Sequence, residues 1–357
     1  MVKHPDYDSF WQKNSPLSYV PYPEIPQLHV GGYYDQEDIN GPQLMYAHME
    51  KKDSFSRNHI VLGPWYHGQW GRSKGDSIAG ISFGSNTGEW FRDLQKKWFD
   101  YYLKGIGDGE FEEAYAFQTG TNEWKTYSSW PPKEATIQHL YAGPGGTARF
   151  IRPVSSKGAV SYISDPQKPV PYRRLPIEET YGPGSRWRPW QVEDQRFVYT
   201  RPDVVSFTTD SLKEDLVVTG AITAHLYAST TGTDADWVVK LIDVYPARDP
   251  DNFLMSGYQF PVAMEVFRGR YRKSFTKPEP LVPRKPEEFV IDLHEINHVF
   301  KKGHRLMIQV QSSWFPVIDR NPQKFVPNIF EAKNSDFIKA TQTIYFSENI
   351  QPILIFR

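Results

Sequence analysis

The sequence predicts a chain of two classes, a mixed α/β part over residues 1–110 and an all-β part over residues 111–357. Three observations carry this reading. Two apolar runs, Leu28-His29-Val30 and His59-Ile60-Val61-Leu62, each end in a polar turn and precede stretches of helical period. From about residue 111 the apolar runs become short and β-branched, separated by Gly, Pro and Asp clusters. No run of helix length and period follows.

In the first part, Pro42 opens a helix through residues 43–50, since its missing N–H is no loss in a first turn. A second helix is marked by Asn86-Thr87-Gly88-Glu89, spaced as a capping box, and by Phe91, Leu94, Trp98 and Tyr101 at three- and four-residue steps. Gly105, after Lys104, is its expected stop. Two parallel strands cannot cover their own faces. Either an upstream segment completes their sheet, or they lean on the second part. There, residues 114–117, 222–227, 237–244 and 306–311 are expected strands of an antiparallel sandwich of jelly-roll type. Residues 151–200, rich in Pro, Arg, Gly and Tyr with weak periodicity, are expected to run across the surface as a long excursion.

Charge excludes several functions. The 41 basic and 42 acidic residues leave a net charge of −1, so no basic face for nucleic acid or an anionic membrane is expected. Mean hydropathy is −0.58, and no apolar run approaches the ~20 residues of a membrane-spanning helix. With no cysteine there is no disulfide, thiolate metal site or cysteine nucleophile. That fits an oxidising compartment, and a periplasmic or secreted parent protein is the expectation.

The chemistry gathers in two segments. Asp35-Gln36-Glu37-Asp38 follows the first strand-like run, and Gly63-Pro64-Trp65-Tyr66-His67-Gly68 follows the second. In α/β-hydrolases the triad acid and base leave the sheet at strand ends in the order Ser, Asp, His. A lone loop histidine is usually ordinary, but an acid segment at this spacing makes His67 a candidate base and Asp35 its partner. Glu37 and Asp38 add negative charge that suits a cationic substrate group; the competing reading is a solvated acidic turn. With so little chain before Asp35, no nucleophile is expected upstream within it.

Three other motifs fail on context. Gly80-Ile81-Ser82-Phe83-Gly84 has the G-x-S-x-G spacing of a nucleophile elbow, but a polar stretch, not a buried strand, precedes it. The same flank rejects Gly75-Asp76-Ser77-Ile78 as a lipase-type serine. His294-Glu295-Ile296-Asn297-His298 fits H-E-x-x-H, yet strand-like residues run into it, whereas zinc binding needs both histidines on one helix face.

Read in order, these segments resemble the α-amino acid ester hydrolases and glutaryl or cephalosporin acylases. That group includes cocaine esterase and the X-prolyl dipeptidyl peptidases. Besides the acid and histidine motifs, the resemblance rests on residues 4–11, 83–87 and 98–105. In the second part it rests on Asp194-Gln195-Arg196-Phe197, Arg201-Pro202-Asp203, Asp234-Ala235-Asp236-Trp237 and residues 300–305. It implies the C-terminal part of an α/β-hydrolase fold followed by a jelly-roll β-sandwich. It also implies a serine-type acyl hydrolase in which Asp35 and His67 are triad acid and base. Glu37 and Asp38 would hold a substrate α-ammonium, with Tyr34 and Trp65 beside them as substrate-binding residues. Ser82 becomes a bystander, and the nucleophile is expected upstream.

The expected partners are therefore a small ester or amide or a short peptide as substrate, and the upstream α/β-hydrolase segment of a parent protein. Homo-oligomer formation stays open. No cofactor and no metal are expected. The alternative from another class is a non-catalytic jelly-roll module for carbohydrate or protein recognition, to which the 21 Tyr and 22 Phe residues would lend an aromatic surface.

Overall fold

The structure, a computed structural model, describes every residue except 1, 21–23, 154–156, 250–251, 348, 351–352 and 357. Among the described residues its first sheet holds four strands. Gln27–Gly32 pairs in parallel with Asn58–Gly63, which pairs in parallel with Ala114–Gln118; Glu123–Tyr127 closes the sheet as an antiparallel edge. The Asn58–Gly63 strand is buried along its whole length, which is why it reads as an unbroken apolar run rather than an alternating one. Ile60 and Leu62 face the side of Tyr46, on the helix Gly41–Glu50. Val61 faces Phe91 and Leu94, on the helix Thr87–Lys104.

Both expected helices form. Pro42 sits in the first turn of Gly41–Glu50. The second helix ends at Gly105, whose φ of 69° is the left-handed conformation a glycine adopts without strain. The capping box is not made. The Asn86 side chain caps no backbone N–H; its amide donates to Glu89 Oε2 at 2.6 Å instead. Residues 114–117, read from sequence as the start of the sandwich, are a strand of the α/β sheet. An Ala-Tyr-Ala-Phe run buried on both faces has the same pattern in either sheet, so its hydrogen-bond partners decided.

The other main network links eleven strands among the described residues. It doubles over, so that Trp237 on Asp236–Val244 and Phe289 on Glu287–Phe300 meet with ring centroids 4.1 Å apart across the core. The result is a β-sandwich joined to the first sheet through polar contacts. Gln118 Nε2 donates to Asn297 Oδ1 at 3.1 Å, and Thr119 Oγ1 lies 2.7 Å from His298 Nδ1. The first sheet thus meets the sandwich at the end of its third strand.

The H-E-x-x-H segment lies on the strand Glu287–Phe300, and its histidines engage different carboxylates. His294 Nε2 is 2.7 Å from Glu265 Oε2, whereas His298 Nε2 is 3.2 Å from Asp243 Oδ2. Glu295 between them pins the helix Gly41–Glu50. Its backbone N–H donates to Gln43 Oε1 at 3.0 Å and its carbonyl accepts from Gln43 Nε2 at 3.1 Å.

Burial pushes the Glu295 carboxyl up to about 7, a rise that the Trp130 indole N–H donating to Oε2 at 2.5 Å partly offsets. Between the carboxyl's ordinary pKa and about 7, the unfolded chain releases this proton while the folded chain keeps it. Glu295 therefore contributes stability that is full at acid pH and is lost as pH rises through about 7. Urea unfolding at pH 5 and pH 8 should show wild type losing stability relative to Glu295→Gln on going to the higher pH. A difference that does not change with pH contradicts this.

Candidate active site

The two site segments emerge side by side because Gly32 stands opposite Gly63 in the parallel pairing. Bonding continues past the strand ends: Tyr33 N–H donates to Gly63 O at 2.9 Å and Tyr34 N–H to Trp65 O at 3.1 Å. This close approach needs glycine, since a Cβ on Gly32 would lie 2.2 Å from the Trp65 carbonyl oxygen.

Asp35 is 2% exposed, and its carboxylate is held from within its own turn. Oδ1 accepts the backbone N–H groups of Glu37 and Asp38, each at 2.9 Å. His67 Nδ1 lies 3.1 Å from both carboxylate oxygens. With Nδ1 engaged, the tautomer is fixed and the other nitrogen faces outward, on a side chain 41% exposed. Gly68, with φ 69°, turns the chain into the short helix Gln69–Arg72, and Gln69 Oε1 accepts the Tyr66 N–H at 3.2 Å.

The other expected site residues divide. Glu37 is exposed, with Oε2 3.8 Å from His67 Nε2. Asp38 turns away to the helix Gly41–Glu50, where Oδ1 accepts the Gly41 N–H at 3.0 Å. Tyr34 and Trp65 are corrections to the sequence reading, because both are core residues. Tyr34 is 3% exposed, its hydroxyl bonded to the Thr119 side chain, and burial pushes its phenol well above the usual range. Trp65 is fully buried; its indole N–H donates to Thr87 Oγ1 at 2.8 Å, and its ring packs on Phe91 and Trp124. Ser82 lies exposed on a two-residue strand, its Oγ accepting the Gly84 N–H at 3.2 Å.

Three residues went unnoticed in the sequence. Gln36 Oε1 accepts the His67 backbone N–H at 3.3 Å. From the excursion, Gln191 Nε2 donates to the Asp35 carbonyl at 3.1 Å, and the Trp187 indole N–H donates to Glu37 Oε1 at 3.2 Å. Nothing in local pattern marks a contact 156 or 150 residues away. Among the described residues no group of three metal-ligating side chains is assembled.

Comparison with known proteins fits this geometry. The X-Pro dipeptidyl-peptidase C-terminal non-catalytic domain matches residues 111–354, and the X-Pro dipeptidyl-peptidase (S15 family) matches residues 1–69. The chain belongs to the X-Pro dipeptidyl-peptidase family. Within that family it is 29% identical over 331 residues to the cocaine esterase of Rhodococcus sp. (strain MB1 Bresler), covering 90% of this chain and 54% of that protein. The structure of an aminopeptidase from a marine sediment archaeon, Thaumarchaeota archaeon, superimposes with a TM-score of 0.96 at 43% identity, covering 99% of this chain and 59% of that one. An α-amino acid ester hydrolase matches with a TM-score of 0.94 at 42% identity, covering all of this chain and 60% of that one. The chain spans about half the length of the curated relatives it matches. Relatives in this family are serine esterases and peptidases, which favours the hydrolase reading over the binding module.

Gly32→Ala should force the two turns apart and lower stability by about 1–3 kcal/mol, the usual cost of overpacking. The check is the urea midpoint; an unchanged midpoint contradicts the close approach of Gly32 to Trp65 O.

Proposed function

We propose that this chain supplies the acid and base of a serine-type acyl hydrolase acting on esters or amides, with the serine carried by a segment outside residues 1–357. The observation that supports it most is the Asp35–His67 pair, buried at the carboxylate and open at the outward imidazole nitrogen. His67 would take the serine proton as the hydroxyl attacks the carbonyl, then pass it to the leaving group. Water, activated the same way, would release the acyl group, with Asp35 stabilising each imidazolium. The serine would approach His67 from the segment outside residues 1–357.

In this reading the serine-bearing segment docks on the edge of Gln27–Gly32, which pairs among the described residues only with Asn58–Gly63. Beside that edge lies an open groove walled by Leu17, Leu28, Val30, Pro42 and Leu44. Selection of an amino-bearing acyl group would fall to Glu37 with Asp38, the latter exposed and lining that groove. The reading also makes the second part, beyond the strands Ala114–Gln118 and Glu123–Tyr127 that belong to the first sheet, a jelly roll.

The test is complementation with the serine-bearing remainder of the α-amino acid ester hydrolase that matches at 42% identity. The chain alone should not turn over p-nitrophenyl or α-amino acid esters, and the complemented pair should. His67→Ala should then cost at least about 10⁴-fold in kcat. Turnover by the chain alone that Ser82→Ala abolishes, or a complemented His67→Ala with full activity, overturns the proposal.

A further inference from the structure

We propose that Gln191, carried by the excursion from the sandwich, is a positioning residue of the active site that fixes the aim of the Asp35 carboxylate. This rests on the hydrolase reading for its kinetic consequence, though not for its geometry. The Asp35 carbonyl belongs to the peptide that leads into the Glu37 and Asp38 N–H groups, and those two N–H groups grip Oδ1. Rotation of that peptide would swing both donors and release the carboxylate from His67. Gln191 Nε2, 3.1 Å from the carbonyl, opposes that rotation from outside the turn.

A side chain can serve this purpose only if its own base is rigid, and Gln191 sits between two anchored neighbours. Trp190, 4% exposed, packs edge-on against Tyr172 and Trp314 with centroids 5.3 and 5.1 Å away. Val192 is fully buried, and its carbonyl accepts the Tyr258 hydroxyl at 2.7 Å. Three residues on, Gln195 bonds the sandwich twice. Its N–H donates to Gln259 O at 3.0 Å, and its Oε1 accepts from the buried Lys240 ammonium at 2.8 Å. The turn Trp190–Val192 is thus fastened to the sandwich on both sides of the residue that touches the acid turn. Trp187 on the same arm adds a strut to Glu37, so one segment grips the acid turn at two points. The sandwich then acts as part of the catalytic frame, holding the acid in the orientation that the imidazole needs.

The experiment follows the His67 imidazole by NMR in the full chain labelled with ¹⁵N-histidine. The variants are Gln191→Ala and Gln191→Met, the second keeping length and apolar packing while removing the donor. Asp35→Asn identifies the resonance of the Nδ1 proton. Both Gln191 variants are expected to shift or broaden that resonance while the unfolding midpoint stays near wild type. In the complemented enzyme they should lower kcat by roughly 10- to 100-fold with KM little changed. A lowered midpoint with an unmoved His67 resonance would reduce Gln191 to a structural contact and overturn the proposal, as would wild-type resonance and kcat in Gln191→Met. Should the complemented wild type show no turnover while Gln191→Met still moves the resonance, the hydrolase reading falls and the positioning role stands.

Discussion

The site depends on the register of one strand pair. Gly32 opposite Gly63 brings two turns out of the sheet at the same height, so a carboxylate from one reaches an imidazole from the other. Neither turn could stand so close with a larger residue at the crossing, because a Cβ on Gly63 would meet the Trp65 ring at 2.5 Å and one on Gly32 its carbonyl at 2.2 Å. A slip of one residue would turn the strand's side chains to the opposite faces and part the acid from the base. Trp65, buried and bonded to Thr87, is the wedge that keeps this crossing in place.

The sandwich is more than an appendage to that sheet. Tyr34, directly before Asp35, bonds Thr119, which bonds His298, which faces Asp243 together with His304. This polar chain runs inside the molecule from the acid turn to the far sheet. A buried carboxylate with two imidazole partners is costly to disturb, since removing either partner leaves a charge with too few donors. Gln43 and Glu295 fasten the helix after the acid turn in the same manner. The two parts of the chain therefore share one polar seam, and the geometry of the pair inherits its rigidity.

What was legible in the sequence was what local chemistry encodes. The acid and histidine stood out because each follows an apolar strand, and the helix stop at Gly105 because its backbone takes a conformation that favours glycine. Tyr34 and Trp65 were misplaced because residues in a turn have no period that says which way a side chain points. The strand at 114–117 was assigned to the wrong sheet because strand propensity does not name a partner. Residues 151–200 were read as a surface excursion, yet Tyr172, Trp190 and Val192 are buried and the segment reaches the acid turn. Its weak periodicity reflects irregular backbone whose contacts range from within the segment to the acid turn 156 residues away, which no local pattern can record.

The central claim is that the outward nitrogen of His67 is the place where a serine hydroxyl loses its proton. Its most direct measurement is a crystal structure of the chain assembled with the serine-bearing segment and trapped by a serine-directed phosphonate. The account predicts the modified serine oxygen within hydrogen-bond reach of His67 Nε2, with Nδ1 still on Asp35 and Glu37 moved aside. A modified serine remote from His67, with Glu37 still against the imidazole, would contradict it.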